Sequence, residues 1–499
     1  MDCFLGVDVG TTAVKALVVD LQGNVHAEAS VEYAYSQPRP GWVEQNAADW
    51  WDCLVDVILR ATDGLAAPPR ALSLSTQGDT MVPVDADGAP IAPARVWMDR
   101  RGAQQVARLH ERICPDRWTN ITGSALAEYA GAVTLAWWAD EMPDIFASAH
   151  RFCMVEDYLV GRLCGSYVID APNASRSLLF DLHSRDWSDE LLAAVGVGRD
   201  RLAAVAESGV PAGTLRPEIA ELLHLPPETL VVVGAHDQTA GGVGCGAVAP
   251  GTVMLATGTA WVLLGAAATP HVGGPLQTYC HAMPGKVAVL AAFAGGAILR
   301  WARETWCREP GGGLPDYDRL TQEAMAAESD GRGELVLLPH FYGSGPPWGR
   351  RHAFGALAGL RLQHSRGDII LSLLRGVAAQ TAAALETMTQ AGYEVEALRM
   401  IGGGARSAYW AQLVADASGH PVSVPAVTEA AALGAAMLAA IGAGALADVH
   451  AGGELIGIRH HVEPRPGACS LAPAGMGEYV EALDATWRAL AVYHASRGM

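Results

Sequence analysis

The fold of this chain is decided near its start by the stretch FLGVDVGTTAVK, residues 4–15. A short apolar run typical of a buried strand carries Asp8 near its end, and a tight Gly10-Thr11-Thr12 turn follows. Residues 16–19 continue as a second strand, and Gly23-Asn24 turns the chain again. This pattern is strand–turn–strand, and the sequence contains no Gly-x-x-x-x-Gly-Lys-Ser/Thr motif, so we exclude a P-loop.

The turn after Asp8 has the chemistry of a phosphate-binding loop. Glycine lets backbone amides approach an anion closely, and threonine hydroxyls add donors. A carboxylate beside such a turn suits a divalent cation carried by a polyphosphate. The alternative is an ordinary hairpin with a buried Asp.

Length and charge limit the class of protein. The 499 residues predict two domains, and a formal net charge of −19 argues against non-specific nucleic-acid binding. Nine cysteines without a Cys-x-x-Cys pair favour free thiols in a reducing, cytoplasmic compartment. The sequence has no metal-ligand spacing, and we interpret His460-His461 as a surface pair.

Two segments of the sequence bear on whether the protein is secreted or crosses a membrane. The N-terminus lacks the basic region of a signal peptide. Residues 430–447 carry no charge, but they are mostly Ala and Gly. We expect a close-packed helix ending near residues 442–444 rather than a membrane span, and no membrane partner.

Strand-like runs recur ahead of polar or glycine-rich turns, with helical stretches between them. This alternation predicts an α/β protein. The turns are Gln77-Gly78-Asp79, Gly234-Ala235-His236-Asp237, Thr257-Gly258-Thr259 and Gly402-Gly403-Gly404.

The first hairpin has weak sequence similarity to a stretch later in the chain. Gly10-Thr11-Thr12-Ala13-Val14 is similar to Gly258-Thr259-Ala260-Trp261-Val262, which suggests two hairpins facing a nucleotide from opposite sides. Ala256 stands in the second copy where the first has Asp8, so the metal-side carboxylate would come from the first alone. A turn signal at Ala249-Pro250-Gly251 predicts domains at residues 1–246 and 247–499.

The glycine run at 402–404 follows a predicted strand and opens a predicted helix. Ser407 is the expected N-cap, Gly419 the expected C-terminal glycine, and Pro421 follows. A helix N-terminus after glycines suits a nucleotide phosphate or sugar. A dinucleotide motif would need glycine where Ser407 stands, so that interpretation is disfavoured.

Taken in order, these motifs resemble the FGGY carbohydrate kinases, the group that includes xylulose, glycerol, ribulose and gluconate kinases. The resemblance covers about residues 4–444. It rests on GVDVGTT (6–12), PGWVEQ (40–45), WMDRR (97–101), EDYL (156–159), GAHDQ (234–238), GT (258–259), GALAGL (355–360), GGGAR (402–406) and EAAALG (429–434).

The resemblance implies two actin-like (ribonuclease H-like) α/β domains with a nucleotide and sugar cleft between them. It implies transfer of the γ-phosphoryl group of ATP, with Mg²⁺, to a sugar or polyol hydroxyl. Asp237 would be the catalytic base, because a carboxylate can accept the proton of the attacking hydroxyl. The alternative for Asp237 is a cap on a helix that begins near Gln238. Asp8 would hold the magnesium ion.

The resemblance also assigns the ligand contacts. The ATP contacts would be Gly10, Thr11, Thr12, Lys15, Gly258, Thr259, Gly296, Gly403 and Gly404. The substrate contacts would be Gln77, Gly78, Asp79, Trp97, Asp99, Asp237 and Gln238. Two of these have ordinary alternatives, since Lys15 could be a solvated strand residue and Trp97 could be core packing.

Substrate identity depends on Gly78-Asp79, which departs from the family. Glycerol kinases carry Arg-Glu there, and bacterial xylulose kinases carry Met-His. Glycine predicts a roomier pocket, and Asp79 could accept hydrogen bonds from two vicinal hydroxyls, which favours a neutral ketose or alditol over gluconate. The alternative is a turn in which Asp79 bonds its own backbone.

The segment Trp97–Asp99 resembles the xylulose kinase branch of the family more than the glycerol kinase branch, and this resemblance implies a ketopentose such as D-xylulose as the substrate. Glycerol, erythritol or ribulose kinases, and a non-kinase actin-like ATPase, are the alternatives. The sequence leaves the oligomeric state open, with a homodimer as one alternative.

Overall fold

A computed structural model describes residues 2–309, 311–330, 335–341, 347–348 and 354–467, together with residues 485, 488, 489 and 492. Apart from those four residues, the end of the predicted second domain beyond residue 467 lies outside the described part.

Strands and helices alternate along the chain, as predicted. The strands are β1 (Cys3–Val9), β2 (Ala13–Asp20), β3 (Val25–Glu32), β4 (Glu44–Gln45), β5 (Ala71–Thr76), β6 (Met81–Val84), β7 (Ala94–Arg95), β8 (Arg151–Met154), β9 (Val168–Asp170), β10 (Phe180–Asp181), β11 (Asp186–Trp187), β12 (Ala204–Ala206), β13 (Pro211–Thr214), β14 (Leu230–His236), β15 (Thr252–Thr257), β16 (Ala260–Ala267), β17 (Gln277–Cys280), β18 (Val287–Ala294), β19 (Val336–Leu338), β20 (Ala356–Ala358), β21 (Ala397–Ile401), β22 (Val422–Pro425) and β23 (Ile458–Val462).

The helices are α1 (Ala47–Thr62), α2 (Ala103–Arg112), α3 (Pro115–Thr122), α4 (Gly131–Glu141), α5 (Pro143–Ser148), α6 (Val155–Cys164), α7 (Ala171–Arg176), α8 (Asp189–Val195), α9 (Pro217–Leu223), α10 (Asp237–Gly244), α11 (Gly296–Trp306), α12 (Tyr317–Ser329), α13 (Arg366–Gln390), α14 (Ala408–Ser418), α15 (Ala430–Gly442) and α16 (Val449–Gly453).

Two large mixed sheets form the framework, and they share one topology. The first has the order β13-β14-β5-β1-β2-β3, and the second has the order β17-β18-β16-β15-β21-β22-β23. In each sheet a hairpin, β1–β2 or β15–β16, is antiparallel, and its first strand continues parallel into the next two strands. The weak sequence similarity therefore corresponds to two similar hairpins at equivalent positions.

The two parts of the chain are joined by a helix that returns to the first sheet. Helix α15 follows the second-sheet strand β22, yet it packs against β1, β5 and β14 as well as α10. The contact is very close, because a Cβ at Gly6 would lie 1.9 Å from the carbonyl oxygen of Ala432. A Cβ at Gly434 would likewise lie 1.9 Å from the oxygen of Ala240. A division of the chain at residue 246 stays a prediction.

Helix α15 confirms the prediction of a close-packed helix at residues 430–442, which are almost entirely buried. Among the described residues, one helix, α13, is long and apolar enough to cross a membrane by length and composition. Most of α13 is buried in the core of the second domain, beside α12 and α14. The eight cysteines of the described part are free thiols, as predicted.

The glycine run after β21 forms a short 3₁₀ turn, and α14 follows. The Ser407 side chain accepts a hydrogen bond from the backbone N–H of Trp410, and Gly419 ends the helix with φ of 73°. The predicted N-cap and C-terminal glycine are both confirmed.

Candidate active site

Asp237 lies at the junction between β14 and α10. Helix α10 begins at Asp237, and His236 occupies the N-cap position without a side-chain cap. Asp237 is therefore the first helical residue rather than a cap for a helix starting at Gln238. Its side chain is 32% exposed, which leaves the carboxylate accessible to a ligand.

A second carboxylate interacts with Asp237. Asp8 lies near the end of β1, which is separated from β14 by the single strand β5. The Ser75 hydroxyl donates to Asp8 at 2.7 Å, but burial still raises the pKa of Asp8 to about 6. Burial, and next the charge of Asp8, raise the pKa of Asp237 to about 7. The negative charge of Asp8 therefore favours the protonated form of Asp237.

The hairpin turn joins the predicted phosphate contacts to the predicted sugar contacts. The Thr11 hydroxyl donates to Gln77 Oε1 at 3.1 Å and accepts from Trp97 Nε1 at 2.9 Å. The Gly10 N–H donates to the Ala13 carbonyl at 3.0 Å, which closes the turn, and Thr12 is exposed at its tip. Thr11 therefore faces the side of the site where the sugar contacts were predicted.

Trp97 and Asp99 lie on the same loop but have different surroundings. Trp97 is 40% exposed, so the core-packing alternative is wrong. Asp99 is completely buried and accepts hydrogen bonds from the Val43 N–H at 2.7 Å and from Arg95 and Arg101.

Burial disfavours the charge of Asp99, but Arg101 and Arg95 outweigh that effect, and its pKa lies below the ordinary value. Both carboxylate oxygens are used within the protein. The prediction that Asp99 contacts the substrate is not supported, and the residue instead fixes the loop that carries Trp97.

Lys15 is engaged by a residue from the far end of the sequence. Its Nζ atom lies 2.6 Å from Oε2 of Glu429, the N-cap residue of α15, and both side chains are about one-third exposed. Lys15 is thus ion-paired rather than purely solvated, and its ammonium is still partly exposed to solvent. It stays a predicted phosphate contact.

The predicted contacts of the second domain line one cavity of about 640 Å³. It includes Gly258, Thr259, Gly296, Gly403 and Gly404. These residues come from three separate parts of the chain that the fold brings together. The remaining lining residues include Leu299, Arg300, Asp316, Tyr317, Asp318, Thr321, Arg406 and Ser407.

Close backbone approach explains one of these glycines. A Cβ at Gly296 would lie 2.4 Å from the carbonyl oxygen of Gly258, and the Gly296 N–H donates to that oxygen at 3.2 Å. The start of α11 therefore packs directly on the second hairpin turn. Arg300 and Tyr317 could not be predicted as lining residues, because no motif spacing connects α11 and α12 to the glycine run.

The structure corrects the interpretation of Gly78-Asp79. A Cβ at Gly78 would lie 2.5 Å from Cδ2 of His236, so the imidazole fills the space that the sequence analysis predicted to be open. Asp79 has the positive φ of a turn residue, 56°. Its carboxylate nevertheless accepts two hydrogen bonds from Arg176, at 2.6 Å from Nη2 and at 3.1 Å from Nε. Neither a roomier pocket nor an Asp79 bonded to its own backbone is found.

His236 is buried against this part of the site. Its Nε2 atom lies 3.4 Å from Oδ1 of Asp237. Burial, and then the charge of Arg176, hold the pKa of His236 well below its usual range, so the imidazole is neutral. Gln238 follows Asp237, and its Oε1 atom is buried with no hydrogen-bond partner in the described part of the chain.

The site fits magnesium in the form that accompanies ATP. Among the described residues, no group of three His, Cys, Asp or Glu side chains forms a closed metal site. Magnesium usually takes one or two carboxylates together with substrate phosphates and water. Burial disfavours the charge of Asp8, and a bound cation would favour its ionised form, so Asp8 stays the predicted magnesium residue.

A two-part α/β fold with a glycine-lined cavity in one half, and two carboxylates near the ends of the inner strands β1 and β14 in the other, is typical of a two-domain phosphotransferase. Comparison with known proteins gives the family. Residues 3–244 match the N-terminal domain of the FGGY family of carbohydrate kinases, and residues 252–443 match its C-terminal domain. The chain belongs to the FGGY family of carbohydrate kinases.

Individual relatives agree with this membership. The chain is 31% identical to a xylulose kinase from Klebsiella pneumoniae, over 83% of this chain and 85% of the relative. It is 34% identical to a glycerol kinase from Bordetella parapertussis, with 88% of each covered. The crystal structure of xylulose kinase from Rhodospirillum rubrum superposes with a TM-score of 0.86 at 27% identity, covering 99% of this chain and 98% of that one.

These findings confirm the actin-like two-domain fold and the kinase class. The protein is a sugar or polyol kinase, and ATP is the co-substrate that this class implies.

Proposed function

We propose that this protein transfers the γ-phosphoryl group of ATP to a hydroxyl of a neutral ketopentose or related polyol, with D-xylulose as the leading candidate. The observation that carries the proposal is the position of Asp237. Its partly exposed carboxylate has a pKa of about 7 and lies at the start of α10, close enough to Asp8 for the two charges to interact.

Asp237 would act as the general base. A sugar hydroxyl must lose its proton as it attacks phosphorus, and a carboxylate with a pKa near the working pH accepts that proton efficiently. Neutral His236 lies 3.4 Å from one oxygen of Asp237 and adds no competing positive charge.

ATP would bind between the two hairpins. The cavity lined by Gly258, Thr259, Gly296, Gly403 and Gly404 would hold the nucleoside and part of the phosphate chain. Gly10, Thr11, Thr12 and Lys15 would approach the phosphates from the first domain. Magnesium held at Asp8, when bound, would neutralise charge on the phosphate oxygens.

The sugar would lie beside the first domain, against Gln77, Gly78, Asp79, Trp97 and Gln238. The exposed ring of Trp97 offers an apolar face, and its N–H is fixed by Thr11. The xylulose kinases among the relatives favour a ketopentose. Glycerol kinase relatives of similar identity keep glycerol and other polyols as alternatives, and we propose a cytoplasmic enzyme.

The pairing of Asp79 with Arg176 changes the reason for excluding an aldonate. The guanidinium largely compensates the charge of Asp79, so repulsion by Asp79 alone is a weak barrier. An aldonate carboxylate would still face the unpaired oxygen of Asp79, and two acceptors cannot form a hydrogen bond with each other. The nearby charges of Asp8 and Asp237 would also repel it.

The test is ADP formation by the purified protein with ATP and magnesium against pentuloses, alditols, glycerol and gluconate. We expect turnover on a neutral ketopentose or alditol and none of use on gluconate. Strong turnover on gluconate would contradict the proposed substrate class, and ADP formation independent of any sugar would favour the non-kinase ATPase.

A further inference from the structure

Arg176 is the last residue of α7 and belongs to none of the motifs found in the sequence. Its side chain is 11% exposed, and that of Asp79 is 5% exposed. Two guanidinium N–H groups donate to the same oxygen of Asp79, Oδ2, at 2.6 and 3.1 Å. The other oxygen, Oδ1, is buried and has no partner among the described residues.

The free oxygen is the informative feature, because a buried carboxylate normally has both oxygens satisfied. Gly78, the chain neighbour of Asp79, packs on His236, whose Nε2 atom lies 3.4 Å from Oδ1 of Asp237. The backbone next to Asp79 is therefore separated from the proposed base by one imidazole ring. An acceptor on this side of the site could take a hydrogen bond from a hydroxyl on a carbon near the one that is phosphorylated.

Arg176 also contacts the second domain. Its third nitrogen donates to Gln277 Oε1 at 3.4 Å, and its guanidinium lies 5.2 Å from the ring centre of Tyr279. Both partners belong to β17 at the edge of the second sheet. Tyr279 is buried, its hydroxyl has no partner in the described part, and its ring meets His236 edge-on at 5.5 Å.

We propose that Arg176 is a positioning residue for sugar recognition. It holds Oδ2 of Asp79, directs Oδ1 to accept a hydrogen bond from a substrate hydroxyl, and links that recognition to β17 of the second domain. This inference rests on the proposed function and assigns the part of it that selects the substrate. The ligand is a neutral polyhydroxy compound with a hydroxyl near the reacting one.

The experiment compares steady-state kinetics for the best sugar and its monodeoxy analogues. The variants are Arg176→Met, Arg176→Lys, Asp79→Asn and the double variant Asp79→Asn/Arg176→Met. A site that pairs with a hydroxyl discriminates strongly against analogues lacking it, so we expect the wild type to reject one analogue by about a hundredfold or more. In Arg176→Met that ratio should fall to about tenfold or less, through KM for sugar more than kcat.

The KM for ATP should stay within about threefold, because the glycine-lined cavity is formed by other residues. Arg176→Lys should recover part of the discrimination, since lysine keeps the charge but lacks the fork of donors. The double variant should lose no more than either single variant, because both act through one hydrogen bond.

The matched control is Arg185→Met. Arg185 also bridges the domains, pairing with Glu207 at 2.7 Å and donating to the Lys286 carbonyl at 3.4 Å, but it is not near Asp237 in the contacts described. Discrimination should be unchanged in this control. If Arg176→Met fails to fold because Asp79 is left as an uncompensated buried charge, the double variant removes both charges and gives the result.

Full discrimination in a folded Arg176→Met or double variant would overturn the inference, as would losses that add in the double variant. If the wild type phosphorylates sugar and Arg176→Met discriminates between the sugars as the wild type does, the inference fails while the proposed function is retained. A wild type that phosphorylates no polyol overturns both.

Discussion

Replacing Asp237 by Asn keeps the size of the side chain and removes the proton acceptor. General-base catalysis contributes about 10²- to 10⁴-fold in rate, so we expect kcat to fall by that factor. This loss corresponds to about 3–5 kcal/mol of transition-state stabilisation. ATP binding should change little, because the glycine-lined cavity contains no atom of Asp237.

The structure also predicts the pH dependence. The base must be deprotonated to act, so activity is lost as pH falls through its pKa. With a pKa of about 7, kcat/KM at pH 6 should be about one-tenth of the plateau above pH 8. A carboxyl at the ordinary value of 3.8 would give a flat profile over this range.

The measurement is a rate–pH profile of the wild type, Asp237→Asn and the control Asp157→Asn. Asp157 is a buried carboxyl with a pKa also raised by burial to about 7, but it accepts from the Met154 N–H at 2.7 Å in the capping box of α6. The control should keep the acid limb. A loss of less than tenfold in Asp237→Asn, or the same loss of the acid limb in Asp157→Asn, would refute the assignment.

Three further substitutions test other contacts. Asp8→Asn should raise the magnesium concentration for half-maximal rate and move the acid limb to lower pH, since the charge that raises the pKa of Asp237 is removed; unchanged magnesium dependence would contradict the role of Asp8. Gly78→Ala should displace the His236 ring and lower the free energy of unfolding by about 1–3 kcal/mol, measured by urea unfolding, whereas Gly313→Ala, with open space around it, should have little effect. Gly6→Ala should lower the melting temperature more than either, because its Cβ would meet backbone of α15, and an unchanged melting temperature would contradict that contact.

The hairpins, the glycine run and the α14 caps could be predicted from the sequence because their signals are local. Glycine, threonine and Ser407 have conformational preferences that depend on immediate neighbours. The base role proposed for Asp237 came from the family resemblance, because a carboxylate directly after a strand fits a helix cap equally well. The equivalent topology of the two sheets was visible only as a few matched residues.

The surroundings of Gly78-Asp79 could not be predicted, because they depend on residues distant in sequence. Arg176 reaches Asp79 across 97 positions, and His236 fills the space beside Gly78 from another strand. The burial of Asp99 could not be predicted for a similar reason. Its motif matched the family, but its burial under Arg95 and Arg101 depends on how β7 and its loop fold back.

In the proposed reaction, ATP phosphorylates a sugar and Asp237 acts as the base. Phosphorus NMR of the protein with ATP, magnesium and the best sugar of the panel follows the transferred phosphoryl group itself. We predict a phosphomonoester signal that grows in equal amount with ADP, requires the sugar and is nearly abolished in Asp237→Asn. Inorganic phosphate as the only product, at a rate independent of sugar, would contradict the proposed reaction.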